Sequence, residues 1–531
     1  MRDLSRPGRS PVHSTKAMAA TSHPLSTQTA IRIMQQGGNA MDAAIAACAV
    51  QCVVEPGSTG IGGDCFCMYS PEGSAEPVAF NGSGRAPAGA DPEALAARDV
   101  TSIERHSPHA VTVPGAVDAW ARLQADHGRL QFGEVLAPAI EYAQNGFPIS
   151  SRVHCDFEGQ AEFLRGDPIT SAIYLPNGEV PAVGSTLALP LLANALKSIA
   201  EGGPDEFYRG WIARDIVEHL QGLGGFHTME DFASASGEYV TPITSEFRGR
   251  TIHQCPPNGQ GVIALLLLNM MKQLDIDPAG PLTADRIHLE IEACRLAYAA
   301  RNHYVGDPSF SDIPVDAILS PDYARSLVDQ IDPARAADTA PDLALPRHRD
   351  TVYISVVDED RNACSFINTL FFGFGSGLTA PKSGVVLHNR GQGFTLDEAH
   401  PNRIAGRKRP LHTIIPAMAT RDGRSSLCFG VMGGQYQAFG QMQFLTRHFD
   451  FGFDLQESMD LPRFMADPFT GEVELEDAID GDVREELVRR GHEIVVPAAP
   501  VGGSQAIAID WQSNVLTGAS DPRKDGCAIG Y

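Results

Sequence analysis

The chain has 531 residues, of which 43% are apolar and 20% charged, and its formal net charge is −24. That charge argues against nucleic acid or an anionic membrane as partner, since both need a basic face. The length provides for a large buried core. The ten cysteines are scattered and form no pair of Cys-x-x-Cys units, which points to reduced thiols rather than a zinc site.

Taken in order, residues 1–11 carry charge but no apolar h-region, and no run approaches ~18 apolar residues. The expectation is a cytoplasmic protein with residues 1–15 disordered. Ser22 is a candidate helix cap with Pro24 in the first turn, and Gly37-Gly38 is the stop. Residues 40–53 form an Ala-rich helix whose small side chains suit close packing in a layered fold. The glycine-rich loop at 57–64 then feeds a strand at 65–69. Its spacing superficially matches a phosphate loop, but it follows a helix, precedes a strand and lacks Gly-Lys-Ser/Thr, so nucleotide binding is rejected. Helices are expected at 116–127, 132–145, 189–200, 211–223 and 261–274. A long one follows at 284–304, with Glu290, Glu292 and Arg295 expected on a solvated face.

Residues 333–350 have no periodic face and three prolines, and are read as a flexible linker of the kind where chains are cut. Beyond it, 352–357 is rich in β-branched and aromatic residues, 358–362 is a polar break and 363–367 returns as a strand, which together make a hairpin. Thr351, at the junction, is open to two readings. It is an ordinary strand-start residue, or the chain is cut between Asp350 and Thr351 so that the new α-amine, titrating near ~8, serves as base for its own hydroxyl. Spacing alone leaves both open. Strands at 385–387, 426–431, 473–475, 493–496 and 506–510 and helices at 435–447 and 483–490 complete a mixed α/β pattern.

Several blocks carry a resemblance: Ser22-His23-Pro24-Leu25-Ser26-Thr27, Gly37-Gly38-Asn39-Ala40-Met41-Asp42, Gly57-Ser58-Thr59-Gly60-Ile61-Gly62-Gly63-Asp64, Val113-Pro114-Gly115-Ala116, Pro256-Pro257-Asn258-Gly259-Gln260-Gly261, Lys408-Arg409-Pro410-Leu411 and Met432-Gly433-Gly434. In this order they resemble the γ-glutamyltranspeptidase family of N-terminal-nucleophile hydrolases, from about residue 16 to the end. The resemblance implies an α/β fold, a four-layer αββα sandwich built jointly by a large region (16–350) and a small one (351–531). It implies that Thr351 is the nucleophile and drives self-cleavage at Asp350–Thr351, and that Thr369 hydrogen-bonds it. Gly433 and Gly434 are then the pair whose N–H groups hold the oxyanion, between a strand and a helix N-terminus, where unpaired donors favour negative charge.

The substrate shell departs from the family pattern. Ser83 stands where an arginine grips the glutamate α-carboxylate, and Arg85 is close but out of register. Phe371 replaces an asparagine, Arg390 and Gly393 replace the residues that hold an α-ammonium, and His412 and Thr413 replace paired serines. The segment between Phe394 and Leu411 is shorter than in lid-bearing members, implying an open cleft. With an acidic partner lost and Arg390 gained, the clamp suits an acyl group bearing a carboxylate and no ammonium. Arg390 as a structural ion pair is the competing reading.

The resemblance thus implies a self-processing threonine amidohydrolase or acyltransferase of an oxamate-amidohydrolase-like branch. Its substrate would be a small carboxylate-bearing amide, bound by Arg390, His412 and Thr413, with Arg85 a second candidate for the carboxylate. The alternatives are a true γ-glutamyl hydrolase or transferase acting on glutathione, and an uncleaved non-enzymatic scaffold. No metal or organic cofactor is implied. The partners are the amide and the two fragments of the same chain, and a homodimer of αβ units stays open.

Overall fold

The computed structural model describes residues 5, 8–337 and 350–531. Most of the linker expected at 333–350, residues 338–349, lies outside them. Two seven-stranded sheets form the centre. One runs Cys527–Gly530, Met18–Thr21, Val352–Val357, Ala363–Thr369, Asp64–Ser70, Val78–Gly82, Glu238–Val240. The other runs Val12–Ser14, Val515–Ser520, Gly503–Asp510, Arg424–Met432, Ala417–Arg421, Arg250–Gln254, Ile243–Phe247. Each sheet mixes strands from both sides of Asp350–Thr351, so neither region completes a core alone.

Three apolar cores separate four layers. Met18, Phe66, Met68, Tyr353, Val357, Met418, Cys428 and Ile507 fill the space between the sheets. Ile354, Val356, Cys65 and Cys67 join the helices Pro24–Gln35, Ala40–Val54 and Phe132–Asn145 on the outer face of the first sheet. The helices Gly261–Met271, Ala284–Tyr304 and Tyr436–Phe449 cover the second. The run Val352–Val357 is buried throughout, Tyr353 and Val357 facing one core and Ile354 and Val356 the other, with Ser355 its one polar member. All fifteen residues of Ala40–Val54 are buried, and the helix is started by an Asn39–Asp42 capping box. Its small side chains let it lie close to both the sheet and its neighbouring helices. This is the αββα sandwich.

Some expectations are corrected. Val12–Ser14, expected to be disordered within 1–15, pairs with Val515–Ser520 because an edge strand there has a free ladder to complete. Residues 385–387 form only isolated bridges, Val386 to Thr379 and Leu387 to Gly62. Glu290 and Glu292 are not on a solvated face: the Arg286–Glu290 pair, at 2.6 Å, is almost wholly buried, and Arg295 sits 2.8 Å from Glu292. The cap of the first helix is His23, whose ring accepts the Leu25 N–H, rather than Ser22, whose hydroxyl donates to Glu55. The start of the linker is fastened, since Ala336 N–H donates to the Arg490 carbonyl at 2.8 Å.

Candidate active site

Thr351 is fully buried at the head of Val352–Val357. The two central sheets face each other in a fixed step here. Ser355 Oγ lies 3.3 Å from the Cys428 carbonyl oxygen, and the Tyr353 ring lies on Gly430, where a Cβ would clash with it. One step further, Thr351 comes to the end of Arg424–Met432, where Gly433 and Gly434 turn the chain into the helix Tyr436–Phe449. Both glycines have positive φ, 120° and 59°, and a Cβ on Gly433 would stand 2.7 Å from Gly502 Cα. Among the described residues neither of their N–H groups donates a hydrogen bond.

Hairpin register sets Thr369 beside Thr351, because Val352 pairs with Asn368. The two Oγ1 atoms are 3.2 Å apart, and Thr369 Oγ1 is 3.3 Å from the Asp350 carbonyl oxygen, which the Thr351 hydroxyl also contacts. Thr369 Oγ1 accepts the Phe371 N–H at 2.9 Å. The Asp350 side chain borders a cavity of about 340 Å³ lined by Arg105, Arg152, Asp156, Gln160 and Phe372. Burial, reinforced by Asp156, pushes its carboxyl pKa up against the pull of Lys524, Arg152 and Arg105.

On the other side of Thr369 its register partner, Asp64, is the hub of a buried polar cluster. Asp64 Oδ1 accepts the Gly84 N–H at 2.8 Å, while Oδ2 lies 3.0 Å from His412 Nε2 and 3.4 Å from His388 Nδ1. Burial alone would raise its pKa; the contacts with His388 and His412 outweigh this and hold it below the usual carboxylate range. His412 Nδ1 accepts the Ile414 N–H, so its Nε2 carries the proton toward Asp64. Burial, with Arg390 nearby, lowers the His412 pKa to about 3, leaving a neutral ring.

Arg390 is buried with its guanidinium 3.6 Å from the centroid of the Phe371 ring. Nη1 and Nη2 each reach Thr413 Oγ1 at only 3.4 Å, and Nε has no partner among the described residues. No described carboxylate lies within ion-pairing distance of it, and burial lowers its pKa to about 9 although Asp64 pulls the other way. Phe371, which carries the ring, holds φ 79°, a costly conformation for an aromatic residue and one that clusters at functional sites. Arg85 points elsewhere: it is one-third exposed, 3.5 Å from Asp307 and 3.8 Å from Glu238. The structure therefore gathers Asp350, Thr351, Thr369, Arg390, His412 and Thr413, sets Gly433 and Gly434 at the same end, and leaves Arg85 in a separate ion-pair cluster.

Sequence reasoning missed Asp64, His388 and the residues behind the glycine turn. Gln260 Nε2 donates to the carbonyls of Thr413 (2.9 Å) and Gly434 (3.2 Å), and Arg301 Nη1 donates to Gln260 Oε1 at 2.9 Å. Asp64 and Gln260 each stood at the end of a glycine-rich block, which was a usable signal; Arg301 had none.

The chain as a whole matches known proteins. The chain is 36% identical over 523 residues to a glutathione hydrolase-like YwrD proenzyme of Bacillus subtilis, covering 97% of this chain and 98% of that one. It is 34% identical over 534 residues to an oxamate amidohydrolase proenzyme of Klebsiella pneumoniae, covering 98% and 99%. A crystal structure of cephalosporin acylase from Bacillus halodurans superposes with a TM-score of 0.93 at 36% identity, covering 100% of this chain and 99% of that one. The family model described as gamma-glutamyltranspeptidase matches residues 26–531. The buried threonine pair, the glycine turn and the two shared sheets thus sit in an enzyme that belongs to the gamma-glutamyltranspeptidase family.

Proposed function

We propose that the chain matures by cutting itself before Thr351, giving a large fragment ending at Asp350 and a small one, 351–531. The Thr351 hydroxyl adds to the Asp350 carbonyl carbon. The C–N bond breaks, nitrogen takes the hydroxyl proton, and an ester remains. Water then hydrolyses that ester, releasing the Asp350 carboxylate and a free Thr351 α-amine. The contacts of Asp350 O with both threonine hydroxyls support this reading. In the mature enzyme the α-amine is the base, Thr351 Oγ1 attacks an amide, and Gly433 and Gly434 N–H groups receive the oxyanion, each donor worth about 3–4 kcal/mol in the barrier. Water or an amine then resolves the acyl-enzyme.

The substrate is a small amide whose acyl part carries a carboxylate. The observation that carries this is Arg390: a buried guanidinium whose Nε is unpaired among the described residues, stacked on Phe371, which lies two residues past the threonine that touches Thr351. A buried charge without a counter-ion is costly, and an incoming carboxylate relieves that cost with paired charge-assisted hydrogen bonds. Asp64, the nearby carboxylate, is committed to Gly84, His388 and His412, so it offers an α-ammonium little. His412 and Thr413 wall the site, the first as a neutral donor to Asp64. Among the names of relatives, oxamate fits such a clamp directly.

Intact mass and a denaturing gel test the processing, and an amide panel of oxamate, glutathione and γ-glutamyl-p-nitroanilide tests the clamp. Two fragments, the smaller beginning at Thr351, with oxamate-type amides turned over faster than γ-glutamyl ones are expected. A chain that stays whole and silent overturns the first proposal. Preference for γ-glutamyl donors overturns the second.

A further inference from the structure

A second cluster lies away from the threonines. His288 and Glu292 stand one turn apart on the helix Ala284–Tyr304, so they share a face. His492 meets them from the turn after the helix Gly481–Arg489, where its N–H donates to the Leu487 carbonyl. All three are buried, and one ligand atom from each lies within 4.8 Å of the others.

The hydrogen bonds settle which nitrogens face inward. His288 Nε2 is 2.7 Å from the Asp332 carbonyl oxygen. A carbonyl only accepts, so Nε2 carries the proton and Nδ1 of the neutral ring presents a bare lone pair. That lone pair faces His492 Nε2 at 2.7 Å. If His492 Nε2 held the proton, its Nδ1 would be an unprotonated nitrogen, buried and without a partner among the described residues. If Nδ1 held it, two lone pairs would face each other. A cation between the rings removes the second conflict, and the His288 contact is the arrangement that metal-bound histidines use, the far N–H donated to a backbone carbonyl. Glu292 accepts from Arg295 at one oxygen (2.8 Å) and from the Ala337 N–H at the other (3.1 Å), which leaves each oxygen a lone pair. Of the cations nearby, Arg295 is paired with Glu292, and Arg490 with Asp285 and Glu486.

We propose that His288 Nδ1, His492 Nε2 and the Glu292 carboxylate bind a first-row divalent cation of the zinc type. Two imidazoles and a carboxylate suit such an ion, with a fourth position for water. Tetrahedral geometry at Zn–N ~2.0–2.1 Å sets the two nitrogens ~3.3 Å apart, so the rings open by roughly half an ångström from the separation seen here. The site is structural. It lies ~20 Å along the helix from Arg301, which backs the glycine turn. It joins residues on both sides of Asp350–Thr351 and grips the chain at Asp332 and Ala337, around the start of the linker. The cation site itself does not depend on the cut.

The test uses the full chain without a histidine tag. Bound metal is measured by plasma mass spectrometry, and the chelator-treated protein is then titrated with Co(II) while its visible d–d absorption is followed. Stoichiometric uptake, a strong visible band and a thermal midpoint that falls on chelation are expected. His492→Ala abolishes the band, whereas His13→Ala, at an exposed histidine, leaves it. No stoichiometric uptake by the wild-type chain overturns the proposal even if the variant fails to fold, and so does a band that survives in His492→Ala.

Discussion

Arg390 and Phe371 are stacked, the guanidinium 3.6 Å from the ring centroid, and Phe371 is tied through its N–H to Thr369, which touches Thr351. The cation is therefore placed relative to Thr351 through Phe371 and Thr369, two residues apart in the chain. If it holds the substrate carboxylate, Arg390→Ala lowers kcat/KM for acidic amides about tenfold to hundredfold, the size of a hydrogen bond to a charged group, and leaves neutral amides almost unchanged. Arg390→Met should also raise the thermal midpoint, since it removes a buried charge that no described carboxylate pairs. Equal losses on acidic and neutral amides would sink the clamp.

The same residue sets a pH limit. Its pKa is lowered to about 9 by burial, so the cation is lost as pH rises through that value. KM for an acidic amide should climb above pH 9 while KM for a neutral amide stays level. A bound carboxylate favours the charged guanidinium, so saturating substrate moves the limit upward. The folding linkage has the opposite sense to a salt bridge: the folded state releases this proton earlier than the unfolded one, so burial of Arg390 costs stability below pH 9 and that cost eases above it.

Thr369 gives a sharper test of processing. Its hydroxyl is 3.2 Å from Thr351 Oγ1 and 3.3 Å from the Asp350 carbonyl oxygen. Thr369→Val removes the hydroxyl but keeps the β-branched shape that the strand needs. Self-cleavage should slow about tenfold to hundredfold, read by gel against time. Thr369→Ser should mature near the wild-type rate. Thr351→Ala should remain one chain, and Thr351→Ser should still cut.

The layers were legible because their signals are local. The residues 352–357 showed a strand in their β-branched and aromatic side chains, and the helices 116–127, 132–145 and 284–304 showed their ends in Gly, Asn or a capping residue. The blocks around Thr351 and Gly433-Gly434 were legible by resemblance alone, since a threonine at a strand start carries no distinctive pattern. Asp64 escaped because its partners His388 and His412 are more than 320 residues away, and only folding brings three buried titratable groups to one point. Glu292 was misplaced on a solvated face for the same reason: a charged helix face looks solvent-exposed until a second charged segment covers it.

Asp64 should matter for acid stability. Its folded pKa is held below the ordinary range, so it contributes stability that is complete above its unfolded value near ~4 and is lost as pH falls below it. Asp64→Asn should destabilise the protein by roughly 3–5 kcal/mol at neutral pH, as for a broken buried pair, and by less at pH ~3, where the unfolded wild-type chain takes up a proton that the folded Asp64 refuses. Thermal midpoints of both proteins at the two pH values test this, and a gap that does not narrow in acid counts against it.

Gly433 is the last test, because conformation and chemistry meet there. Its φ of 120° is closed to side chains, and a Cβ would press on Gly502 Cα at 2.7 Å. Gly433→Ala must therefore move the turn, and with it the Gly433 and Gly434 N–H groups. If those N–H groups stabilise the transition state, the variant should lose about 10²–10³ in kcat with KM little changed, since the donors act on charge that develops only during reaction. Self-cleavage passes through the same kind of tetrahedral oxyanion. Should both reactions use one hole, maturation and amide turnover slow together. Normal maturation with crippled turnover would assign the precursor a different oxyanion donor.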